Sequence, residues 1–201
     1  MLKLPFNELD SWALWNTPAD DEIRGKDAKA VEALFGEAYQ ENHFPSEQLP
    51  SDLKEALAST KYVLVGLNLG NAAVERESDV PFLNFHGAKK SMDYRMAAAV
   101  YGTEVWGALM TDLDGTIESD SRKVKVGQLQ VAALEQHLTE LGVSKDAKLI
   151  TMGKAAYETL SKYSQHPVFK VAHYSGANSG AGQGRWQADS AKAAVLAAVA
   201  G

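Results

Sequence analysis

The chain has 201 residues, of which 45% are hydrophobic and none is cysteine, and its formal net charge is −6. This length suits one α/β domain, and the hydrophobic content is too high for a disordered chain. The lack of cysteine excludes disulfides, iron–sulfur clusters and thiolate zinc sites, and we expect a cytoplasmic protein. The net negative charge argues against a protein whose whole surface binds nucleic acid, although it permits a local basic face.

The first quarter of the chain predicts helices rather than a leader sequence, because prolines and charged residues interrupt its apolar runs. Residues 6–15 and 27–41 place apolar side chains at helical spacing, and residues 51–59 follow Pro50, with Ser51 as the expected N-cap. No apolar run approaches membrane-spanning length, so we expect no association with a membrane.

Beyond residue 60, strand-like apolar runs alternate with helical patterns. The predicted strands cover residues 61–67, 105–111, 147–152 and 168–172, and the predicted helices cover residues 91–101, 126–141, 154–163 and about 186–199. Right-handed crossovers between such units give a four-stranded, mostly parallel sheet with helices on both faces. We therefore expect an α/β fold, a three-layer αβα sandwich, in one domain over residues 1–201 with the helices of residues 1–60 packed on the sheet.

A long charged loop over residues 70–88 ends in the aromatic-rich run Pro81–Gly87. Connections of this length are more often functional than idle. Basic side chains cluster in two places, with Arg122, Lys123 and Lys125 in one loop and Lys89, Lys90 and Arg95 in another. These clusters form either a local basic face or ordinary solvated charges.

Two polar segments directly follow predicted strands. The segment Gly66–Gly70 (Gly-Leu-Asn-Leu-Gly) follows the first strand, and His173–Asn178 (His-Tyr-Ser-Gly-Ala-Asn) follows the last. The carboxyl ends of parallel strands meet at one rim of the sheet, and ligands bind in the crevice there. We expect the amide of the first segment and the imidazole of the second to converge on one hollow.

These segments resemble motifs of the uracil-DNA glycosylase superfamily. Gly66–Gly70 resembles its first motif, Gly-x-Asn-Pro-Gly, and His173–Asn178 resembles its second, which often runs His-Pro-Ser followed by Gly or Pro. Met110–Leu113 is similar to a Thr-Asn-Leu strand end in the mismatch-specific branch, and Leu149–Tyr157 resembles the strand-Gly-helix stretch before the second motif. The four segments keep the family order over roughly residues 60–180.

The resemblance implies a monofunctional DNA base-excision glycosylase that hydrolyses the N-glycosidic bond of uracil or another damaged or deaminated base. It implies a monomer that acts on DNA without a cofactor or a metal. By the family pattern, Asn68 and His173 are the catalytic residues. Cleavage leaves an anionic base, so a donor such as His173 must face the oxygen that gains charge. Asn68 would hold the attacking water, and an amide positions water without accepting its proton, so we expect a modest rate.

The base must leave the stack, and an aromatic face commonly receives it. We expect Phe82 to supply this face, with Phe85 as the alternative. The other expected base contacts are Gly66, Leu67 and Asp112, and the expected DNA contacts are Gly70, Lys123, Ser175, Gly176 and Asn178. The opposing interpretations are that the two phenylalanines pack beneath the loop and that Asn68 is an ordinary turn residue.

The motifs depart from the family pattern at several positions. Leu69 and Tyr174 replace prolines that would stiffen the two loops. Ala177 is small where relatives often carry a bulky apolar wedge that fills the vacated stack. We therefore expect single-stranded or mismatched DNA to be a better target than well-paired duplex.

Asp112 stands where the family often has a base-reading amide. An ionised carboxylate only accepts hydrogen bonds, so it would repel uracil O4. Either burial keeps Asp112 protonated, or the base is not uracil and presents donors, as cytosine N4, adenine N6 and the two adjacent donors of guanine do. A third interpretation is that Asp112 caps the turn at Asp114–Gly115 or holds a lysine.

Two further functions remain open at this stage. The fold could retain a base pocket with little turnover, as a nucleobase-binding protein, or it could hydrolyse a small N-glycoside. A basic strip beside the mouth, formed by Lys89, Lys90, Arg122, Lys123 and Lys125, would favour DNA, whereas an acidic mouth would favour a free nucleoside or nucleotide.

Overall fold

The computed structural model describes residues 4–70, 80–179 and 184–201. Its strands form one mixed sheet in the order β1-β3-β2-β4-β5. They are β1 Ser11–Trp12, β2 Tyr62–Asn68, β3 Leu109–Asp114, β4 Lys148–Met152 and β5 Val168–Val171. β2 to β5 are mutually parallel, and β1 runs antiparallel to β3 at the edge of the sheet.

Helices cover both faces of this sheet. They are α1 Asp20–Ile23, α2 Ala28–Ala38, α3 Leu53–Ser59, α4 Tyr94–Val100, α5 Gln128–Leu141, α6 Lys154–Tyr163 and α7 Ala188–Ala200. Side chains alternate along β2, so that Tyr62 and Leu64 pack with α2, α4 and α7, whereas Val63 and Val65 pack with α3, α5 and α6. This division into two cores is consistent with the expected three-layer arrangement.

The expected four-stranded, mostly parallel sheet is wrong, because a fifth strand pairs at its edge. Residues 6–15, predicted as a helix, contain β1, in which Ser11 pairs with Met110 and Trp12 with Leu109. Every side chain from Asp10 to Trp15 is buried, so no exposed helical face exists in this segment. The apolar spacing there reflects burial on all sides rather than an amphipathic helix.

Two smaller expectations also change. β3 begins at Leu109 and extends to Asp114, which places Asp112 inside the strand rather than in the turn after it. The N-cap of α3 is Asp52 instead of Ser51, because Asp52 Oδ1 accepts from the backbone N–H groups of Lys54 and Glu55 at 3.0 Å each. None of the helices in the described ranges has the length and apolar content needed to cross a membrane.

The strand order reverses at the centre of the sheet. From β2 the chain moves to β3 on one side, and from β3 it crosses to β4 on the other side of β2. α4 packs on one face of the sheet and α6 on the other. The carboxyl ends of β2 and β4 therefore flank a topological switch point, the place where open α/β sheets bind ligands.

Candidate functional site

A cleft of about 1540 Å³ lies at this switch point, as bounded by the described residues. Each parallel strand contributes to it near its carboxyl end. The contributions are Gly66 to Asn68 from β2, Asp112 from β3, Met152 and Gly153 from β4, and Ala172 to Asn178 after β5. The structure therefore brings Asn68 and His173 to the same cleft from opposite sides of the switch point.

The carboxamide of Asn68 is held by the backbone around it. Its Nδ2 lies 2.8 Å from the carbonyl oxygens of Leu69, Thr116 and Glu118. These contacts fix the orientation of the amide, because an oxygen in the same place would face three acceptors. Oδ1 therefore points away from them, and it has no hydrogen-bond partner among the residues that the structure describes.

The ring of His173 is oriented by its own loop. Nδ1 accepts a hydrogen bond from the backbone N–H of Ser175 at 3.1 Å, which leaves the proton of a neutral ring on Nε2. Removal of the ring from bulk water lowers the pKa of His173 to about 4, so the ring is neutral at physiological pH. Within the described chain Nε2 has no partner, and it can donate to a ligand in the cleft.

Glycine permits the close approach of side chains at both ends of the cleft. A Cβ on Gly66 would lie 2.1 Å from Asp112 Oδ1 and 3.1 Å from the ring of Phe85. Gly153 has a φ of +100°, and a Cβ there would lie 3.3 Å from the Cβ of His173. Any side chain at Gly66 would therefore displace Asp112, which explains why this position needs glycine.

The floor of the cleft contains Asn84, Phe85 and Asp112, all of them buried. Asn84 Nδ2 donates to Asp112 Oδ2 at 2.8 Å and to the Leu9 carbonyl at 2.7 Å. The Phe85 ring belongs to the core that contains α2, α4 and α7, and its Cε1 atom lies close to Gly66. A planar ligand that enters the cleft would meet an aromatic ring and two polar side chains at its base.

Most of the predicted site residues line this cleft. They are Gly66, Leu67, Asn68, Gly70, Phe85, Asp112, His173, Ser175, Gly176 and Asn178. Of the predicted loop over residues 70–88, residues 71–79 lie outside the described residues, as do residues 180–183 of the Gly-rich loop. Contributions of these segments to the cleft therefore stay predictions.

Phe82 and Lys123 do not line the cleft. Phe82 packs against Phe6 and Phe44, with ring centroids 5.0 and 5.5 Å apart, in the core on the other face of the sheet from Phe85. Phe82 and Phe85 both have positive φ, at 62° and 67°, and the tight turn between them sends the two rings to opposite sides. Phe85, the alternative, is therefore the aromatic residue that the structure places at the site.

Two of the five side chains expected to form a basic strip beside the mouth, Arg122 and Lys123, are paired with carboxylates. Arg122 makes a bidentate contact with Asp120, both distances being 2.8 Å, and its guanidinium holds the pKa of Asp120 at about 2. Lys123 lies 3.6 Å from Glu118. The charged side chains that do line the cleft are Lys90, Arg122, Lys154, Lys170 and Arg185 on the positive side, and Asp112, Glu118 and Glu158 on the negative side. By formal charge the described lining has five positive and three negative side chains, and one of the positive ones, Arg122, is paired with Asp120 outside the lining.

Arg95, expected in an exposed basic cluster, instead supports the loop that carries His173. Its Nη1 donates to the Tyr174 carbonyl at 3.0 Å and to Ser179 Oγ at 2.7 Å, and its Nε donates to Glu32 at 3.1 Å. The other carboxylate oxygen of Glu32 accepts from Trp186 Nε1 at 2.7 Å. The stiffness that a proline at Tyr174 would provide is therefore supplied by side chains from α2 and α4.

Asn178 has a similar role within the same loop. Its Nδ2 donates to the His173 carbonyl at 2.8 Å and to the Gly184 carbonyl at 3.4 Å, and its own carbonyl accepts from the Trp186 N–H at 2.9 Å. Tyr174 stacks on the His173 ring with centroids 4.6 Å apart. Asn178, expected to contact DNA, thus lines the cleft while its amide holds the His173 backbone.

A buried carboxylate lies beneath one edge of the cleft. Asp93 accepts from Trp15 Nε1 at 3.2 Å and lies 2.5 Å from Ser91 Oγ and 2.8 Å from the Tyr39 hydroxyl. Burial raises the pKa of Asp93 to about 6 and also raises the pKa of Tyr39. Because Ser91 lines the cleft, this cluster ties the site to the core.

The structural roles of Asn84, Arg95 and Asn178 in the site were not predictable from the motifs. Asn84 lies in the aromatic-rich run Pro81–Gly87, and its polar side chain between Phe82 and Phe85 was the one local feature that pointed to it.

No group of three or more His, Asp or Glu side chains in the described ranges is arranged to hold a metal ion. Comparisons with protein-family models, with curated proteins and with solved structures find no match.

Proposed function

We propose that the protein is a DNA base-excision glycosylase, which hydrolyses the bond between a damaged base and its deoxyribose. One observation carries this proposal: Asn68 and a neutral His173, held as an Nε2–H donor, line one cleft at the switch point of the sheet. The motif order along the chain supports the same interpretation. The remaining supporting feature is the Phe85 ring beside Gly66, which would offer an aromatic contact to an extruded base.

The arrangement suits departure of a base as an anion. His173 Nε2–H would donate to an oxygen or nitrogen of the base that gains charge as the glycosidic bond breaks. With a pKa of about 4, the His173 ring is not an imidazolium at neutral pH. The neutral ring therefore stabilises this charge by donating a hydrogen bond and does not transfer a proton to the base. The basic side chains of the cleft lining would favour the phosphates of a DNA strand.

Asn68 would hold the attacking water through Oδ1. Its Nδ2 is committed to backbone carbonyls, so the oxygen is the atom left to accept a hydrogen bond from water. An amide oxygen orients the water without removing its proton, so the proton that the water loses on attack passes to solvent, and the departed base anion takes a proton from solvent. The lack of a general base limits the rate. A slow enzyme on bases that depart readily is the expected result.

A second function is favoured by the same contacts of Asn68. The three carbonyls at 2.8 Å show that this residue has a complete structural role without any substrate. If that role is its whole function, the protein is a nucleobase-binding protein with little or no turnover. The two functions predict the same ligand and differ only in whether the base is released.

A single-turnover assay on single-stranded and mismatched oligonucleotides tests the proposal. The panel contains uracil, hypoxanthine, xanthine and alkylated purines, with free nucleosides as a separate arm for hydrolysis of a small N-glycoside. Release of a base from DNA is expected, and His173→Ala should lower the rate by about 10²- to 10³-fold because one donor to the developing anion is lost.

His43→Ala is the matched control, since His43 is exposed and lies outside the cleft. It should leave the rate unchanged. Binding of oligonucleotides without release of any base would favour the second function, and hydrolysis of nucleosides alone would replace DNA as the substrate. Full activity in His173→Ala would remove His173 from the site.

A further inference from the structure

A buried carboxylate, that of Asp93, connects the protein core to a segment that lines the cleft. Two hydroxyl groups each lie between this carboxylate and a backbone carbonyl of the segment. Ser91 Oγ is 2.5 Å from Asp93 Oδ1 and 2.8 Å from the Ala88 carbonyl oxygen. The Tyr39 hydroxyl is 2.8 Å from both Asp93 Oδ2 and the Gly87 carbonyl oxygen. Because Gly87, Ala88 and Ser91 line the cleft, the protons of this cluster affect its shape.

The number of protons in the cluster decides which of these contacts are hydrogen bonds. Trp15 Nε1 donates to Asp93 Oδ2 at 3.2 Å, so Oδ2 is an acceptor and a proton on the carboxyl group lies on Oδ1. In that neutral form Oδ1 donates to Ser91 Oγ, and Ser91 donates to the Ala88 carbonyl. An ionised Asp93 takes the single hydroxyl proton of Ser91 for itself. Ser91 Oγ and the Ala88 oxygen are then 2.8 Å apart with no hydrogen between them, which favours their separation.

The Tyr39 hydroxyl has the same choice between two acceptors. An ionised carboxylate is a stronger acceptor than a carbonyl, so Tyr39 donates to an ionised Asp93 and is able to donate to Gly87 when Asp93 is neutral. Burial raises the pKa of Asp93 to about 6, although its hydrogen bonds oppose this rise. Burial also raises the pKa of Tyr39, so its hydroxyl keeps its proton across the physiological range.

We propose that Asp93 is a proton-operated switch, which in its neutral form holds residues 87–91 in the cleft lining and releases them when it ionises. The segment carries Lys90, one of the cations that line the cleft. Because the change occurs near pH 6, the position of Lys90 and the shape of the cleft respond to pH within the physiological range. The inference goes beyond the proposed function, and it does not depend on which ligand the cleft binds.

Other titratable and charged side chains surround Asp93 on the neighbouring elements. They are Tyr39 after α2, Tyr174 after β5, His86 beside Trp15, Lys89 and Lys90 in the switch segment, and Arg95 of α4 with its partner Glu32. Histidine also titrates near pH 6 in its ordinary state. The test must therefore assign the titration to Asp93 rather than to His86.

Two signals of the unaltered protein measure the switch directly. The side-chain ¹³C carboxyl signal of Asp93 reports its own protonation, and the Trp15 Nε1–H signal reports the acceptor it faces. Recorded from pH 4 to 8, both should titrate with one midpoint near pH 6. Amide hydrogen exchange of residues 87–92, corrected for its intrinsic pH dependence, should be about tenfold faster at pH 8 than at pH 5, because hydrogen bonds to the segment are lost.

Asp93→Asn fixes the arrangement of the neutral form. Its amide donates to Ser91 Oγ from the position of Oδ1 and accepts from Trp15 at the other position. The variant should show no titration of the Trp15 signal near pH 6, and exchange of residues 87–92 should stay slow at pH 8. Asp146→Asn is the matched control, because Asp146 is exposed and lies outside the cleft. It should titrate as the unaltered protein does.

Stability provides a separate measurement of the same proton. The pKa of about 6 in the folded protein lies above the ordinary value of about 4 for an aspartate in an unfolded chain. The stabilisation by this proton is therefore present below pH 4 and is lost as the pH rises to 6. Relative to Asp93→Asn, the unfolding equilibrium constant of the unaltered protein should rise on the order of 10²-fold between pH 4 and 7 in urea denaturation.

The signals of the unaltered protein decide the matter even if Asp93→Asn does not fold. An Asp93 carboxyl signal that is constant between pH 5 and 8 overturns the inference. Titration of Asp93 without faster exchange of residues 87–92 also overturns it, because the carboxylate would then ionise without releasing the segment. A Trp15 signal that still titrates near pH 6 in a folded Asp93→Asn variant would assign the pH response to another group, such as His86.

Discussion

The two walls of the cleft, one formed around Asn68 and the other around His173, are each held by a side-chain amide. They differ in which residue faces the ligand. On one wall Asn68 Nδ2 holds the carbonyls of Leu69, Thr116 and Glu118. On the other wall Asn178 Nδ2 holds the carbonyls of His173 and Gly184. In each case one side-chain amide holds together backbone segments that lie outside the strands and helices.

The difference lies in which residue faces the ligand. On the first wall the fastening residue and the proposed catalytic residue are the same, Asn68. On the second wall they are separate, because Asn178 and Arg95 hold the loop and His173 presents the donor. Substitution of His173 therefore removes the donor together with one hydrogen bond from the Ser175 N–H and the stacking of Tyr174. Substitution of Asn68 changes the proposed chemistry and also the contacts with three backbone carbonyls.

Asn68→Asp should produce the largest combined effect on stability and rate. The carboxylate would place a charged acceptor against three carbonyl oxygens that now receive the Nδ2 hydrogens. We expect a loss of about 2–4 kcal/mol in the free energy of unfolding, measured by urea denaturation. The single-turnover rate should also fall, even though an aspartate in principle offers a general base.

Asn42→Asp is the control for the added charge, since Asn42 is exposed and has a φ of 51° that aspartate tolerates. It should be nearly neutral in stability. A stable Asn68→Asp variant with a faster rate would contradict the structural role assigned to the amide. A variant that loses stability but keeps its rate would show that Asn68 does not hold the water.

Arg95→Met should produce a smaller effect on the other wall. Methionine keeps the apolar stem but removes the donors to Tyr174 and Ser179 and leaves Glu32 without its cation. Glu32 keeps its bond from Trp186, so we expect a loss of about 1–3 kcal/mol in unfolding free energy. The rate should fall about tenfold or less with little change in DNA affinity, because His173 is displaced but not removed.

Arg24→Met is the matched control, because Arg24 is exposed and distant from the cleft. Arg95→Lys should restore part of the stability, since lysine supplies the charge without the planar fork. If Arg95→Met matched Arg24→Met in both stability and rate, the loop would be held by other contacts, and the role given to Arg95 would be wrong.

Local sequence patterns were enough to predict several helices and strand ends. The helix α6 has the predicted bounds of 154–163, and α5 ends at Leu141 as predicted, followed by Gly142 with a φ of +89°. The convergence of Asn68 and His173 followed from their positions after parallel strands, since strand direction alone brings those ends together.

Features that depend on distant partners were not predictable in this way. β1 exists because Ser11 and Trp12 pair with residues almost a hundred positions away, and no local period marks a strand of two residues. Phe82 and Phe85 are chemically identical, and only the positive φ values of their turn decide which one reaches the cleft. Arg95 looked like a surface charge because the sequence does not show that Glu32 and Tyr174 face it.

His173 is proposed to act as a neutral donor inside a cleft that receives a base. Long-range ¹H–¹⁵N spectra of the histidine side chains, recorded from about pH 4 to 8, measure its protonation and tautomer. We expect His173 to have a protonated Nε2, an unprotonated Nδ1 and a pKa of about 4, and its Nε2 signal to shift when an uncleavable oligonucleotide binds. A pKa near the ordinary histidine value, a proton on Nδ1, or an Nε2 signal indifferent to bound DNA would contradict it.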